Sequence, residues 1–329
     1  MSDFQQPSSM QAPRLSYVMC ASPAGMHRMA YWEWGDPDND QVLLCVHGLT
    51  RNGRDFDPLA ARMAAHYRVV CPDIVGRGRS DWLIDPKHYV IPQYVADMLV
   101  LIARLNPSRL DWVGTSMGGL IGMGLAAGLA VSAAMRPPRG EFGLNASQTL
   151  RLGRVVLNDI GPSLNASGLA RIADYVGRPE TFDSFEQAVE YVKNVSEGFG
   201  PHDDAGWQDL TRHVFNDRNG QWVKHYDLRI AEPITKQDAA VLKGAEGVLW
   251  QGYASLCEPV LILRGETSDL LTAQSLQEMQ RQNVLARGLT LQGVGHAPTL
   301  RSPDQLDAVA GFLLEGLGKE TGAPVSPVA

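Results

Sequence analysis

The residues in this 329-residue chain best placed to do chemistry are a serine and a histidine in glycine-rich turns, Ser116 and His296. Ser116 lies in Gly114-Thr115-Ser116-Met117-Gly118, after a β-rich run (Leu110 to Val113) and before an Ala/Gly/Leu-rich helical run. This spacing puts the serine on a tight strand-to-helix turn with its hydroxyl raised above the sheet, and glycines without a Cβ let the turn close. A serine hydroxyl is a poor nucleophile at neutral pH, so it needs a base, and the base needs a group to orient it. His296, in Gly293-Val294-Gly295-His296-Ala297-Pro298, is the expected base. Asp269 is the expected acid, giving the chain order Ser116, Asp269, His296; Glu266 and Asp159 are the alternatives. A developing oxyanion needs two N–H donors, expected from Met117 and from Leu49 in His47-Gly48-Leu49. His47 is expected to brace that loop. The chemistry expected of such a set is acyl transfer from a carboxylic ester through an acyl-enzyme, which calls for no metal or cofactor.

The elements that must position these groups are legible as hydrophobic pattern. Leu15 to Ala21 and Arg28 to Trp34 suggest a hairpin around Ser22-Pro23-Ala24-Gly25. Gln41 to Val46, Tyr67 to Cys71, Leu110 to Val113, Arg154 to Asn158, Pro259 to Leu263 and Leu289 to Gln292 are short strand-like runs, several almost continuously apolar, as in parallel sheets buried on both faces. Helical stretches alternate with them, predicting an α/β fold with a mostly parallel sheet. In such sheets functional residues lie just past the carboxyl ends of strands. His47, Asp73, Ser116, Asp159, Glu266, Asp269 and His296 satisfy that filter.

Between 163 and 252 the strand pattern gives way to amphipathic helical stretches rich in aromatics, predicting a helical cap inserted into a core made of 14–162 and 253–317. Residues 1–13 and 318–329 are expected to be disordered, and 135–151 is expected to be a surface insertion. Arg51, Trp82 and Trp250 are the candidates to border a substrate pocket, whose aromatics favour an apolar acyl or alcohol group; alternatively those aromatics form the cap's own small core.

Composition narrows the classes. With 44% hydrophobic and 20% charged residues the chain is globular, and a net charge of −7 argues against a nucleic-acid partner. Cys20, Cys45, Cys71 and Cys257 are widely spaced, as expected of buried reduced thiols. The polar N-terminus lacks a signal-peptide pattern, so a cytoplasmic location is expected. Met117 to Ala134 carries no charge but contains five glycines, and a buried helix on the sheet is expected there rather than a membrane span. Homo-oligomerisation is left open.

Taken together, His47-Gly48, Asp73-x-x-Gly76-x-Gly78-x-Ser80, Gly114-x-Ser116-Met117-Gly118-Gly119, Asp269 and Gly295-His296 resemble the α/β-hydrolase superfamily over roughly Tyr31 to Leu317. The resemblance implies an eight-stranded, mostly parallel sheet flanked by helices, with the site under the cap. Ser116 stands where dehalogenating and epoxide-opening members carry Asp. The turn is similar to that of small-molecule esterases, enol-lactonases, C–C bond hydrolases and cofactor-free perhydrolases, all of which stay open beside a simple esterase. A non-enzymatic ligand receptor on the same fold is the reading from a different class.

Overall fold

The computed structural model describes residues 12–135, 150–235, 239–315 and 317. The two ends and most of the 135–151 insertion lie outside the described residues. The chain opens with a hairpin, β1 (Arg14–Ser22) and β2 (Gly25–Trp34), and continues into β3 (Gln41–Val46), α1 (Asp57–Met63) and β4 (Arg68–Pro72). Next come α2 (Ile91–Leu105), β5 (Arg109–Thr115), α3 (Met117–Ala134) and β6 (Val155–Asn158). After a long excursion, two more strands complete the sheet.

The excursion comprises α4 (Ala166–Val176), β7 (Thr181–Phe182), α5 (Phe185–Val195), α6 (Asp204–Arg212), β8 (Phe215–Arg218), β9 (Gln221–Lys224), α7 (Ala231–Thr235) and α8 (Ala239–Ala254). Then follow β10 (Val260–Gly265), α9 (Ala273–Gln282), β11 (Ala286–Leu291) and α10 (Pro303–Leu314). The eight strands of the main sheet lie in the order β1-β2-β4-β3-β5-β6-β10-β11. The β1–β2 and β2–β4 pairs are antiparallel and the other five neighbours are parallel.

The continuous apolar runs arise because both faces of the sheet are covered. In β3, Val42, Leu44 and Val46 point into one core and Leu43 and Cys45 into the other. Side chains alternate by strand geometry, yet neither face meets water, so the sequence does not alternate. Helix α3 is long and apolar enough to span a bilayer by length and composition, with mean hydropathy 1.7. In the fold it is a core helix: it starts at Ser116, lies on β5 and packs between α2 and α8. Gly252 of α8 is pressed so closely on α3 that a Cβ there would run into the Met123 carbonyl. The expected boundary at 252 therefore falls inside α8 rather than between elements.

The 163–252 segment departs from the all-helical expectation. Strands β7, β9 and β8 form a small antiparallel sheet, with β8 and β9 joined by a tight turn at Asn219-Gly220, both at positive φ. These strands are two to four residues long, too short to give a period-two signal. Phe215, Ala188 and Val192 form a separate core with Phe182, Tyr191, Trp207 and Trp222 packed on it. Phe182 stacks on Tyr191 and Phe215 with ring centroids 5.2 and 5.5 Å apart. Much of the aromatic content of this segment is thus its own packing. Cys20, Cys45, Cys71 and Cys257 are all free thiols, but Cys257 is exposed rather than buried.

Candidate active site

Ser116 is held in an unfavourable conformation, φ 51° and ψ −114°, between β5 and α3. Two close approaches demand the flanking glycines: a Cβ on Gly114 would strike the Gly118 backbone, and one on Gly118 would strike the Val46 carbonyl of β3. The serine hydroxyl meets His296, whose Nε2 lies 2.8 Å from Ser116 Oγ. The ring's other nitrogen, Nδ1, lies 2.8 Å from Asp159 Oδ2.

Asp159, not Asp269, is therefore the carboxylate on the imidazole. It is fully buried directly past β6. Its Oδ1 accepts the Gly265 N–H at 2.7 Å and its Oδ2 accepts the Ser268 hydroxyl at 2.6 Å. The loop after β10 is thus at the site, as expected, but it contributes donors that fix the acid rather than the acid itself. Ser268 occupies the inward position, and its hydroxyl also accepts the Leu270 and Leu271 N–H groups. Asp269, the next residue, turns outward to α4, where its oxygens accept Arg171 Nε and Nη2 at 2.6 and 2.9 Å. That ion pair holds the Asp269 carboxyl below its ordinary range. Glu266 likewise lies outside, its Oε2 accepting the Gly293 N–H at 3.0 Å. The available signal for Asp159 was its place directly after a buried strand, whereas Asp269 stands four residues beyond the end of β10.

Neighbouring residues fix the histidine loop. Asn158 Nδ2 donates to Thr115 Oγ1 and to the Pro298 carbonyl, linking the serine and histidine loops through the end of β6. The Gly295 N–H donates to the Gly198 carbonyl at 2.7 Å, so the inserted segment also grips the histidine loop.

The loop carrying Leu49 runs past the serine, with Gly48 in van der Waals range of Ser116. His47 braces it from below. Burial pushes this imidazole down to about 3, which keeps it neutral. Its Nε2 accepts the Ile74 N–H at 2.9 Å while Nδ1 donates to the Gly48 carbonyl at 2.6 Å. Arg77, which the sequence pattern did not single out, is completely buried. Its Nε donates to the Leu49 carbonyl at 2.8 Å, and its Nη2 lies 3.7 Å from Met117 Sδ. Arg77 therefore ties together the two residues expected to supply the oxyanion donors. The Asp73-x-x-Gly76-x-Gly78-x-Ser80 pattern marks the turn that carries it but leaves position 77 unspecified.

Two cavities open onto Ser116. One, of about 110 Å³, is lined by His296, Thr299, Arg51, Asp55, Arg171 and Lys224 among others. The second, of about 550 Å³, runs over Met117, Leu120, Ile160, Leu164, Val248 and Leu249 and, among the described residues, has no charged side chain in its wall. Arg51 borders the first, with its guanidinium engaged by Asp55 at 2.7 and 2.5 Å. Trp82 and Trp250 line neither cavity. Trp82 is exposed on the loop after Ser80. Helix α8 presents Val241, Ala245, Val248 and Leu249 to the larger cavity, and Trp250, about 100° further round, packs edge-on to Tyr253 instead.

Among the described residues, one group has the donor set for a metal: Cys20, His27 and Asp97, with donor atoms within 4.8 Å of one another. It belongs to the opening hairpin and α2, and His27 Nε2 is already 3.0 Å from Asp97 Oδ2. Burial, aided by Asp97, pushes the Cys20 thiol up to about 12, which favours a protonated thiol over a metal-binding thiolate.

Comparison with known proteins places this geometry. A model of the alpha/beta hydrolase family matches residues 43–309. A 3-hydroxybutyrate-oligomer hydrolase of Cupriavidus necator is 45% identical over 299 residues, spanning 90% of this chain and 96% of that protein. An esterase of Mycobacterium tuberculosis is 27% identical over 285 residues, 82% of each chain. The crystal structure of an alpha/beta hydrolase from Novosphingobium aromaticivorans matches with a TM-score of 0.75 and 32% identity, covering 93% of this chain and 99% of that one. With its eight-stranded sheet, its serine turn and a match over most of its length, the chain belongs to the α/β-hydrolase family and is a hydrolase.

Proposed function

We propose that the protein is a serine esterase acting through Ser116, His296 and Asp159, and that short hydroxyalkanoate esters of the 3-hydroxybutyrate-oligomer type are its substrates. The observation that carries this reading is the unbroken relay from Ser116 Oγ to His296 to Asp159, at 2.8 Å for each step. His296 Nε2 accepts the serine proton as Oγ attacks the ester carbonyl, while Nδ1–H donates to Asp159 and the imidazolium is stabilised. The N–H groups of Leu49 and Met117 receive the oxyanion. As the tetrahedral intermediate collapses, the bond from acyl carbon to alcohol oxygen breaks and His296 returns the proton to the departing alkoxide. Water, deprotonated by the same imidazole, then cleaves the acyl-enzyme to acid and free serine.

The substrate class draws support from the 45% identical relative and from the predominantly apolar larger cavity. The 163–252 segment acts as the cap, since α4, β9 and α8 all contribute residues to the two cavities. The test combines a fluorophosphonate probe with hydrolysis of p-nitrophenyl butyrate and the linear 3-hydroxybutyrate dimer. Stoichiometric labelling at Ser116 and release of 3-hydroxybutyrate are expected. Turnover of neither ester, with Ser116 unlabelled, would overturn the proposal.

A further inference from the structure

The two cavities differ in chemistry, and the proposed reaction assigns each to one half of an ester. The departing alkoxide must be protonated by His296, so the alcohol half has to occupy the cavity that His296 lines. The acyl half stays bound to Ser116 with its oxygen toward Leu49 and Met117, and extends into the apolar cavity, where Met117 but not His296 forms wall. The alcohol side is the small one, about 110 Å³ against about 550 Å³, and among the described residues it is the one lined by charged side chains. Arg51, Arg171 and Lys224 face it against a single carboxylate, Asp55.

Two of the three cations are already committed. Arg51 is held bidentately by Asp55, and Arg171 by Asp269. Lys224, on β9, differs: its ammonium donates to the backbone carbonyls of Tyr175 and Arg178 at 3.0 and 2.9 Å, both neutral acceptors. The residue is 7% exposed, and its ammonium stands 5.5 Å and 5.8 Å from the ring centroids of Tyr191 and Tyr226. Glu180 acts on this ammonium through space without forming an ion pair with it, so a buried ammonium whose hydrogen bonds go to neutral carbonyls can still gain a charge-assisted contact from an anion.

Resting on the esterase reading, we infer that this enzyme takes esters whose alcohol half ends in a free carboxylate, bound toward Lys224, and releases one hydroxy acid at a time from the carboxylate end of a short polyester. In a chain of hydroxy acids joined head to tail, the alcohol half of the last ester bond is the terminal unit with its carboxylate. A cavity this small admits that unit and not a longer chain, whereas the apolar cavity falls within the size range of ordinary small-molecule sites, roughly 300 to 1,000 Å³, and accommodates the remaining acyl chain.

The experiment uses a linear 3-hydroxybutyrate tetramer, isotopically labelled in its carboxyl-terminal unit, with the carboxylate either free or capped as a primary amide. Labelled monomer and unlabelled trimer are expected as first products. The kcat/KM for the free acid is expected to exceed that for the amide at least about tenfold, as for a charge-assisted contact. Lys224→Met should bring that ratio toward one, and Lys224→Arg should preserve most of it. Equal kcat/KM for the two tetramers, dimers as first products, or release from the hydroxyl end would overturn the inference while leaving the esterase reading intact. The wild-type comparison of free and capped ends decides the matter even if Lys224→Met does not fold. Absence of any ester turnover would remove both.

Discussion

Two neighbouring loops at the rim of the sheet each carry an aspartate past a strand end, and the two aspartates have opposite lives. Asp159, directly after β6, is fully buried and surrounded by donors: the Gly265 N–H, the Ser268 hydroxyl and the His296 ring. Asp269, four residues after β10, has a side chain 39% exposed and shares its charge with Arg171 of α4. A carboxylate that orients an imidazole has to be fixed and dry; a carboxylate at the surface can hold a helix in place but cannot exclude water from a proton relay. Standing past a strand end is thus necessary for a rim acid without being sufficient. Depth beneath the histidine decides between the two.

The largest effect should come from Ser116, the proposed nucleophile that the oriented imidazole serves. Ser116→Ala is expected to lower kcat by about a millionfold, as removal of a triad nucleophile does elsewhere, with unchanged circular dichroism. The comparison itself is put to the test by Asp159→Asn. An amide in that position cannot support the imidazolium and favours the wrong tautomer, so a loss of about ten-thousandfold in kcat is expected. Should Asp159→Asn retain activity while Asp269→Asn loses it, the assignment made from the geometry would be reversed. Ser268→Ala probes the link between the loops. It removes one of the two β10-loop donors to Asp159 and leaves Gly265 in place, so kcat should fall about tenfold with KM little changed.

How far the sequence reveals this site follows from the same contrast. Ser116, His296 and the His47-Gly48-Leu49 loop are each bound to a local signature; at the serine the reason is a close backbone approach, since Gly118 has no room for a Cβ beneath Val46, and Gly114 none against Gly118. The continuous apolar runs of β3, β5 and β10 reveal a doubly covered sheet for an equally local reason. The acid is not local. Which of Asp159, Glu266 and Asp269 reaches His296 depends on how the loops after β6 and β10 lie over one another, and on Ser268 filling the inward position. Arg77 is hidden for the same reason, since its value comes from contacts with Leu49, Tyr94 and Met117, far apart in the chain. In the 163–252 segment the strands are too short for periodicity, and Trp222 and Trp250 have the same composition signature whether they face a cavity or a neighbour's ring.

The smallest effect is expected from Asp269→Asn, and its pH dependence separates an anchoring role from a catalytic one. Turnover of p-nitrophenyl butyrate should change by no more than about threefold, because the lost interaction is a partly exposed ion pair worth at most about 1 kcal/mol. The cost should appear in stability instead, as a melting temperature lower by about 2–4 °C at pH 7 for each kcal/mol lost in a protein of this size. Arg171 depresses the Asp269 carboxyl below its ordinary 3.8 in the folded protein. A depressed carboxyl contributes stability that is fully present above the unfolded value and disappears as the pH falls through the folded one. The difference in melting temperature between wild type and Asp269→Asn should therefore be constant at neutral pH and narrow only below about pH 4, where the wild-type carboxyl takes up its proton and becomes as neutral as the amide. A catalytic acid at this position would show the reverse pattern: little difference in melting temperature and a large loss of kcat across the whole neutral range.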